Sequence, residues 1–238
     1  LADHVTSSTG LVAVMAVNNE IGVRNPLSAV VEIARRAGAK VLVDAVQAYG
    51  RVPVEVAADF IAISAHKCHG PKGIGALWVG HGAVVAPLLQ GGGQEMGLRS
   101  GTLSPALCAG FGAAAQVAEE GMSEQMFHVE HLWNMAREAF ADWELNGSAI
   151  DRWHGNLNIR KDGLDVARLM SDCRQIMFSA GSACASGSGR TSHVLKALGL
   201  SDAQAKSSIR LGFGRYTKPE DIESAAAALL AAAREQGL

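Results

Sequence analysis

Cysteine is scarce in this chain. The four residues, at 68, 108, 173 and 184, are scattered and show no C-x-x-C spacing. That pattern excludes a disulfide framework and a zinc knuckle and fits a reducing, cytoplasmic compartment. Charge of either sign is nearly balanced, with a net charge of −2. The sequence therefore offers no electrostatic argument for nucleic acid or an anionic membrane as a partner. No apolar run reaches the roughly 18 residues that a membrane-spanning helix requires, and no internal repeat is evident. The first residues, LADHVTSS, contain neither an initiator methionine nor a signal-peptide pattern. They read as the start of a processed piece or a fragment.

What is present is a chain of 238 residues, 48% apolar and 18% charged, typical of a soluble globular protein. That length supplies a core without staples, burying roughly 70% of the unfolded surface. LVAVMAV (11–17), KVLVDA (40–45), DFIAIS (59–64) and IGALWV (74–79) read as strands. Between the first two, PLSAVVEIARRAG (26–38) has helical spacing, with Pro near its start and Gly at its end. Apolar strands alternating with a helix predict an α/β fold built on a mainly parallel sheet. A glycine-rich loop (91–102) and helices over 104–120 and 124–143 follow. Beyond about residue 145 the texture changes. Strands at 156–160, 176–181 and 207–213 alternate with helices near 164–173, 191–199 and 218–236. This predicts a large-domain portion over 1–122 and a smaller α+β domain over 123–238.

The chemistry concentrates where the third strand ends, in SAHKCHGPKGIGAL (64–77). A lysine in a partly desolvated site can act as an amine nucleophile or base, because its pKa falls there. Pyridoxal phosphate (PLP) needs such a lysine, together with a carboxylate that keeps its pyridine nitrogen protonated. Lys67 and Asp44 are candidates, each at the carboxyl end of a strand, where open α/β sheets bind ligands. Ser64 and His66 are candidate phosphate donors, and Asn19 and Gln47 candidate partners of the ring substituents. Each residue has a plainer reading. A lysine after a strand is commonly a solvated end, and an Asp there a turn or cap. GPKGIG lacks the G-K-[ST] ending of a nucleotide phosphate loop. His66, Cys68 and His69 suggest metal, but neighbouring side chains on a strand, such as Cys68 and His69, point to opposite faces, which argues against it. The residues alone leave PLP as one reading among several.

Six blocks carry more. VNNEIG (17–22), VDAVQAYG (43–50), SAHKCHGPKGIGAL (64–77), GGGQEMGLRSGT (91–102), SAGSACAS (179–186) and SSIRLGFGRYT (207–217) stand in a fixed order. Together they resemble the cysteine desulfurases, PLP enzymes of the class V aminotransferase family, and within them the group serving nitrogenase and iron–sulfur cluster assembly. The resemblance implies the fold type I of PLP-dependent transferases. It implies that Lys67 is the Schiff-base lysine, Asp44 the partner of the pyridine nitrogen, and Gln47 and Asn19 contacts of the ring hydroxyl. Ser64 and His66 correspond to phosphate ligands. Thr102 corresponds to a residue that reaches the phosphate of the neighbouring subunit, which implies a homodimer. Arg210 corresponds to the group that grips the carboxylate of L-cysteine, with Asn19 also at the substrate. Cys184 corresponds to the thiol that takes the sulfur and passes it, as a persulfide, to an iron–sulfur scaffold or another acceptor protein.

Cys184 also makes sense unaided, since it lies among small residues in SAGSACASGSGR. Cys108 and Cys173 fall in helical apolar patterns and read as packing, and Cys68 is read the same way. Members of this family are longer at the N-terminus, where a Gly-Ala-Thr phosphate turn and a ring-stacking histidine are expected. The chain is therefore expected to be the C-terminal part of a desulfurase that by itself binds PLP weakly and has little or no activity. The other readings are a related PLP lyase, such as a selenocysteine lyase, and a non-catalytic module that docks on a scaffold.

Overall fold

Valine-rich stretches of five residues form the first sheet. Its strands are β1 (Leu11–Met15), β2 (Lys40–Asp44), β3 (Phe60–Ser64) and β4 (Gly75–Val79), hydrogen-bonded in the order β1-β2-β3-β4. β1, β2 and β3 are parallel and β4 runs antiparallel to β3, so the sheet is mainly parallel. In β2 the alternation buries Val41 and Val43, and helix α1 (Leu27–Arg36) covers the sheet with Val30, Val31 and Ala34. Those helical positions share one face. The computed structural model describes residues 1–181 and 191–238. These form two compact units, one of Leu1–Val17 with Asn25–Met122 and one of Asn18–Arg24 with Ser123–Leu238. Helix α2 (Pro105–Glu120), capped by Ser104 with Pro105 in its first turn, belongs to the first.

The second unit is built on β5 (Glu144–Leu145), β6 (Asn156–Arg160), β7 (Ser179–Ala180) and β8 (Ser208–Gly212), in the order β5-β6-β8-β7 and antiparallel throughout. NLNIR and SIRLG alternate strictly, so each strand has an apolar and a polar side. Leu157, Ile159, Ile209 and Leu211 form the apolar side. They share one core with Leu132, Trp133 and Ala136 of α3 (Met122–Ala139), Val166 and Leu169 of α4 (Val166–Asp172), and Ile222, Ala226, Leu229 and Ala233 of α7 (Pro219–Arg234). The other side carries asparagine, serine and arginine.

Several boundaries differ from those read in the sequence, for local reasons. The helix expected over 124–143 stops at Ala139, because Phe140 and Trp143 turn into the core and pack edge to face. The helices near 164–173 and 191–199 begin later, at Val166 and at His193 in α5 (His193–Ala197). Asp165 and Ser192 serve as their N-caps and must stay non-helical. The strand expected over 176–181 is only Ser179–Ala180. A short helix, α6 (Asp202–Lys206), was not foreseen, although its capping box of Ser201 and Gln204 is visible in SDAQ. No helix of the described residues is long and apolar enough to cross a membrane.

Candidate active site

Three parallel strands end on the same edge of the first sheet, and two of the candidate residues close them. Asp44 is the last residue of β2 and lies between Met15 of β1 and Ala62 of β3. Its Oδ1 accepts from the backbone N–H of Val46 at 2.9 Å, a turn contact that fixes the carboxylate at the strand end. Ser64 is the last residue of β3, and a single 3-10 turn, Ala65–Lys67, follows. The Ser64 hydroxyl and His66 Nδ1 are hydrogen-bonded at 2.8 Å. The chain can turn this sharply because two positions take glycine. A Cβ on Gly75 would lie 2.6 Å from the Ile63 carbonyl oxygen, and one on Gly70 would lie 3.0 Å from Ala65.

Lys67 is half-buried on this turn, and an arginine that the sequence reading passed over holds it there. Arg51 donates through Nη2 to the Lys67 carbonyl at 2.7 Å and through Nη1 to Gln47 Oε1 at 2.7 Å. One guanidinium thus ties two candidate residues from different segments, a task that suits its planar fork. The signal was present: Arg51 follows Gln47 by four residues at the end of VDAVQAYGR, the spacing of one helical turn. Cys68 points away from this chemistry. It is buried, its Sγ donates to the Ala65 carbonyl at 3.3 Å, and it packs beside Gly50. Thr102 is exposed ahead of α2, and Cys184 lies outside the described residues.

The structure divides the remaining candidates. Asn19 belongs to the second unit, where Arg210 Nη1 donates to its carbonyl at 2.9 Å. The segment Asn18–Arg24 is held there by successive carbonyls. Asn19 O accepts from Asn156 Nδ2 as well (3.2 Å), Glu20 O from Asn158 Nδ2 (2.9 Å), and Ile21 O from Arg152 Nη2 (2.7 Å). Arg152 is itself stretched over the Trp133 ring, and burial pulls its guanidinium pKa down to about 10. Among the described residues no carboxylate forms an ion pair with Arg210. A half-buried cation without a counter-charge, on a polar sheet face, is suited to an anionic ligand.

The donor set on the first unit fits PLP. It offers an amine, a carboxylate, a hydroxyl with an adjacent imidazole, and an amide, all at or just beyond the carboxyl ends of adjacent strands. Among the described residues no group of three or more His, Cys, Asp or Glu could hold a metal ion.

Comparison with known proteins gives the family. Residues 1–224 match the family described as aminotransferase class-V. The chain is 41% identical over 234 residues to cysteine desulfurase IscS of Rickettsia bellii, covering 94% of this chain and 57% of that protein. It is 43% identical over 231 residues to the mitochondrial cysteine desulfurase of Saccharomyces cerevisiae, covering 94% and 46%. The chain thus spans about half the length of these curated relatives. Among solved structures, a NifS-like protein superposes with a TM-score of 0.88 at 29% identity, covering 100% of this chain and 64% of the other. A NifS-like protein from Rickettsia africae gives 0.87 at 28%, covering 95% and 62%. By sequence and by fold, the chain belongs to the aminotransferase class-V family.

Proposed function

We propose that this chain carries the cofactor and sulfur-transfer machinery of a PLP-dependent cysteine desulfurase, which releases sulfur from L-cysteine and leaves L-alanine. The observation that carries the reading is the placement of Asp44, Ser64, His66 and Lys67 at and just beyond the ends of β2 and β3. Bound there, PLP supplies an electron sink for the bonds broken in the amino acid. Asp44 holds the proton on the pyridine nitrogen. Ser64 and His66 donate to the phosphate, Gln47 and Asn19 meet the ring hydroxyl, and Thr102 reaches the phosphate of a second copy in a homodimer.

The Lys67 amine binds the cofactor and moves the proton at the substrate Cα. Arg210 receives the substrate carboxylate in a bidentate fork, with Asn19 beside it. The Cys184 thiolate attacks the sulfur of L-cysteine. The Cβ–S bond breaks with its electron pair going to carbon, which takes up a proton to give alanine. The sulfur stays on Cys184 as a persulfide, ready for an iron–sulfur scaffold or another acceptor protein. A reducing, cytoplasmic setting suits a thiolate with this task.

The test is to supply the purified chain with PLP, L-cysteine and a thiol reductant, and to measure alanine and sulfide together. Equal yields that vanish in Lys67→Ala and Cys184→Ala support the reading. Alanine formation that survives Cys184→Ala would overturn the sulfur-transfer role. No alanine from the PLP-saturated chain would overturn catalysis by this chain on its own. Selenocysteine run in parallel with L-cysteine separates a selenocysteine lyase.

A further inference from the structure

The polar side of the second sheet contains a hydroxyl that no described residue uses. Ser179 of β7 is paired directly with Arg210 of β8, which is paired in turn with Asn158 of β6. Residues paired across an antiparallel ladder project to the same side, with Cβ atoms about 5 Å apart. The three side chains therefore form a row with the guanidinium at its centre. Ser179 Oγ is shielded from water and makes no hydrogen bond among the described residues. Two residues along β6, Asn156 Oδ1 is also buried and unbonded, its Nδ2 being committed to the Asn19 carbonyl. The position opposite Asn156 is Gly212, so no side chain fills the row there.

Buried polar atoms without partners are rare in native proteins, because each forfeits its hydration. The Ser179 hydroxyl is such an atom, beside a cation with no counter-charge among the described residues, and it marks a place where a ligand completes the bonding. The available groups set its chemistry. Arg210 has spare N–H donors beyond the one held by Asn19 O, and the Ser179 hydroxyl adds an O–H donor. A guanidinium offers donors only, so an acceptor with negative charge and two oxygens suits the row.

We propose that Ser179 is a further substrate-binding residue, whose hydroxyl donates to the carboxylate that Arg210 grips. The proposal rests on the reading of Arg210 as the carboxylate receptor and adds a second donor that the family comparison does not assign. Ser179 thereby distinguishes an α-amino acid from the corresponding amine.

The two roles open to Ser179 predict opposite behaviour. A hydroxyl that supports the fold would cost stability on removal. A buried hydroxyl without a partner costs nothing when removed, since its desolvation goes unrewarded. Ser179→Ala is expected to leave the unfolding midpoint of the ligand-free chain unchanged or raised. In the PLP-loaded protein, titration with L-alanine and with ethylamine isolates the carboxylate, as both carry an amine and only one a carboxylate. The wild type is expected to prefer L-alanine. Ser179→Ala should weaken L-alanine about tenfold, the loss of one hydrogen bond to a charged group, and leave ethylamine unchanged. Ser179→Thr should restore the preference. A Ser179→Ala protein that keeps the wild-type preference would overturn the role of Ser179 while leaving Arg210 in place. A wild type with no preference for L-alanine would overturn the carboxylate reading of Arg210, and the role of Ser179 with it.

Discussion

Asn158 is fully buried and works as the hub of the second unit. Its Nδ2 donates to two carbonyls, Glu20 at 2.9 Å and Gly181 at 3.2 Å, and its Oδ1 accepts from Asn146 Nδ2 at 2.8 Å. Replacing it by alanine removes all three bonds. Asn146 Nδ2 keeps a second partner in Ser208 Oγ at 3.1 Å, so the main cost falls on the two carbonyls. Each buried polar group left unsatisfied costs about 1–3 kcal/mol, and a water entering the vacated space offsets part of that. The expected loss is about 3 kcal/mol. With a urea m-value of about 2 kcal/mol/M, the midpoint should fall by about 1.5 M. Fluorescence reports the correct unit, because Trp133, Trp143 and Trp153 all belong to it. Trp78, in the first unit, is best replaced by Phe in the reporter background. Asn156→Ala is the control. It is half-buried, and its single bond, at 3.2 Å, goes to a carbonyl that Arg210 continues to hold. If both variants shifted equally, or if Asn158→Ala moved the midpoint by less than about 0.5 M, the hub would carry no special weight.

Arg51→Met should preserve the packing of the side-chain stem while freeing Lys67 and Gln47 from their shared clamp. The apparent affinity for PLP is expected to drop by about tenfold, with Arg51→Lys recovering little because an ammonium lacks the planar fork. Unchanged PLP affinity in both would remove Arg51 from the site. His154 stacks on Trp133 with ring centroids 4.6 Å apart, and burial lowers its pKa, with Arg152 pushing the same way against Glu130 and the Ala149 backbone. Its folded value thus lies below the ordinary one of about 6.5, so the unfolded chain takes the proton first. The contribution of the neutral ring is full above about pH 6.5 and is lost as the pH falls toward the folded value. Unfolding curves at pH 8 and pH 5 should therefore diverge less in His154→Phe than in the wild type. An equal pH dependence in the two proteins would contradict this assignment.

The parts of this molecule that were legible in the sequence are those whose cause is local. β2 and β3 announce themselves by valine and isoleucine runs, and the strand-end residues Asp44, Ser64 and Lys67 follow from where those runs stop. The alternation in NLNIR and SSIRLGF likewise betrays a sheet with one wet side. What stayed hidden depends on contacts across long stretches of chain. Asn158 meets the Glu20 carbonyl across 138 residues, Arg210 meets Asn19 across 191, and Arg51 meets Lys67 across 16. No periodicity within a window of ten or fifteen residues encodes such pairings. The membership of Asn18–Arg24 in the second unit is hidden for the same reason, since the distant side chains of Arg152, Asn156, Asn158, Ser192 and Arg210 hold it.

Asn19 shows that a motif does not announce which atoms of a residue the fold itself uses. In VNNEIG the side chain invites attention, and it was the side chain that the resemblance placed near the ring. The fold uses the Asn19 carbonyl, which accepts from both Asn156 and Arg210. Any residue at position 19 would present that oxygen, provided the segment kept its path. The path is set by its neighbours, through the carbonyls of Glu20 and Ile21 and through the buried Glu20 carboxylate bonded to the Ser192 hydroxyl. Two separable functions therefore meet at one position. The backbone of residue 19 orients the Arg210 guanidinium, and its side chain remains available for the ligand. Asn19→Ala should accordingly keep the arginine in place and remove only contacts made by the amide. Glu20→Ala, although it touches no ligand, should disturb Arg210 through the displaced carbonyl and weaken carboxylate recognition more than the substitution at Asn19 does.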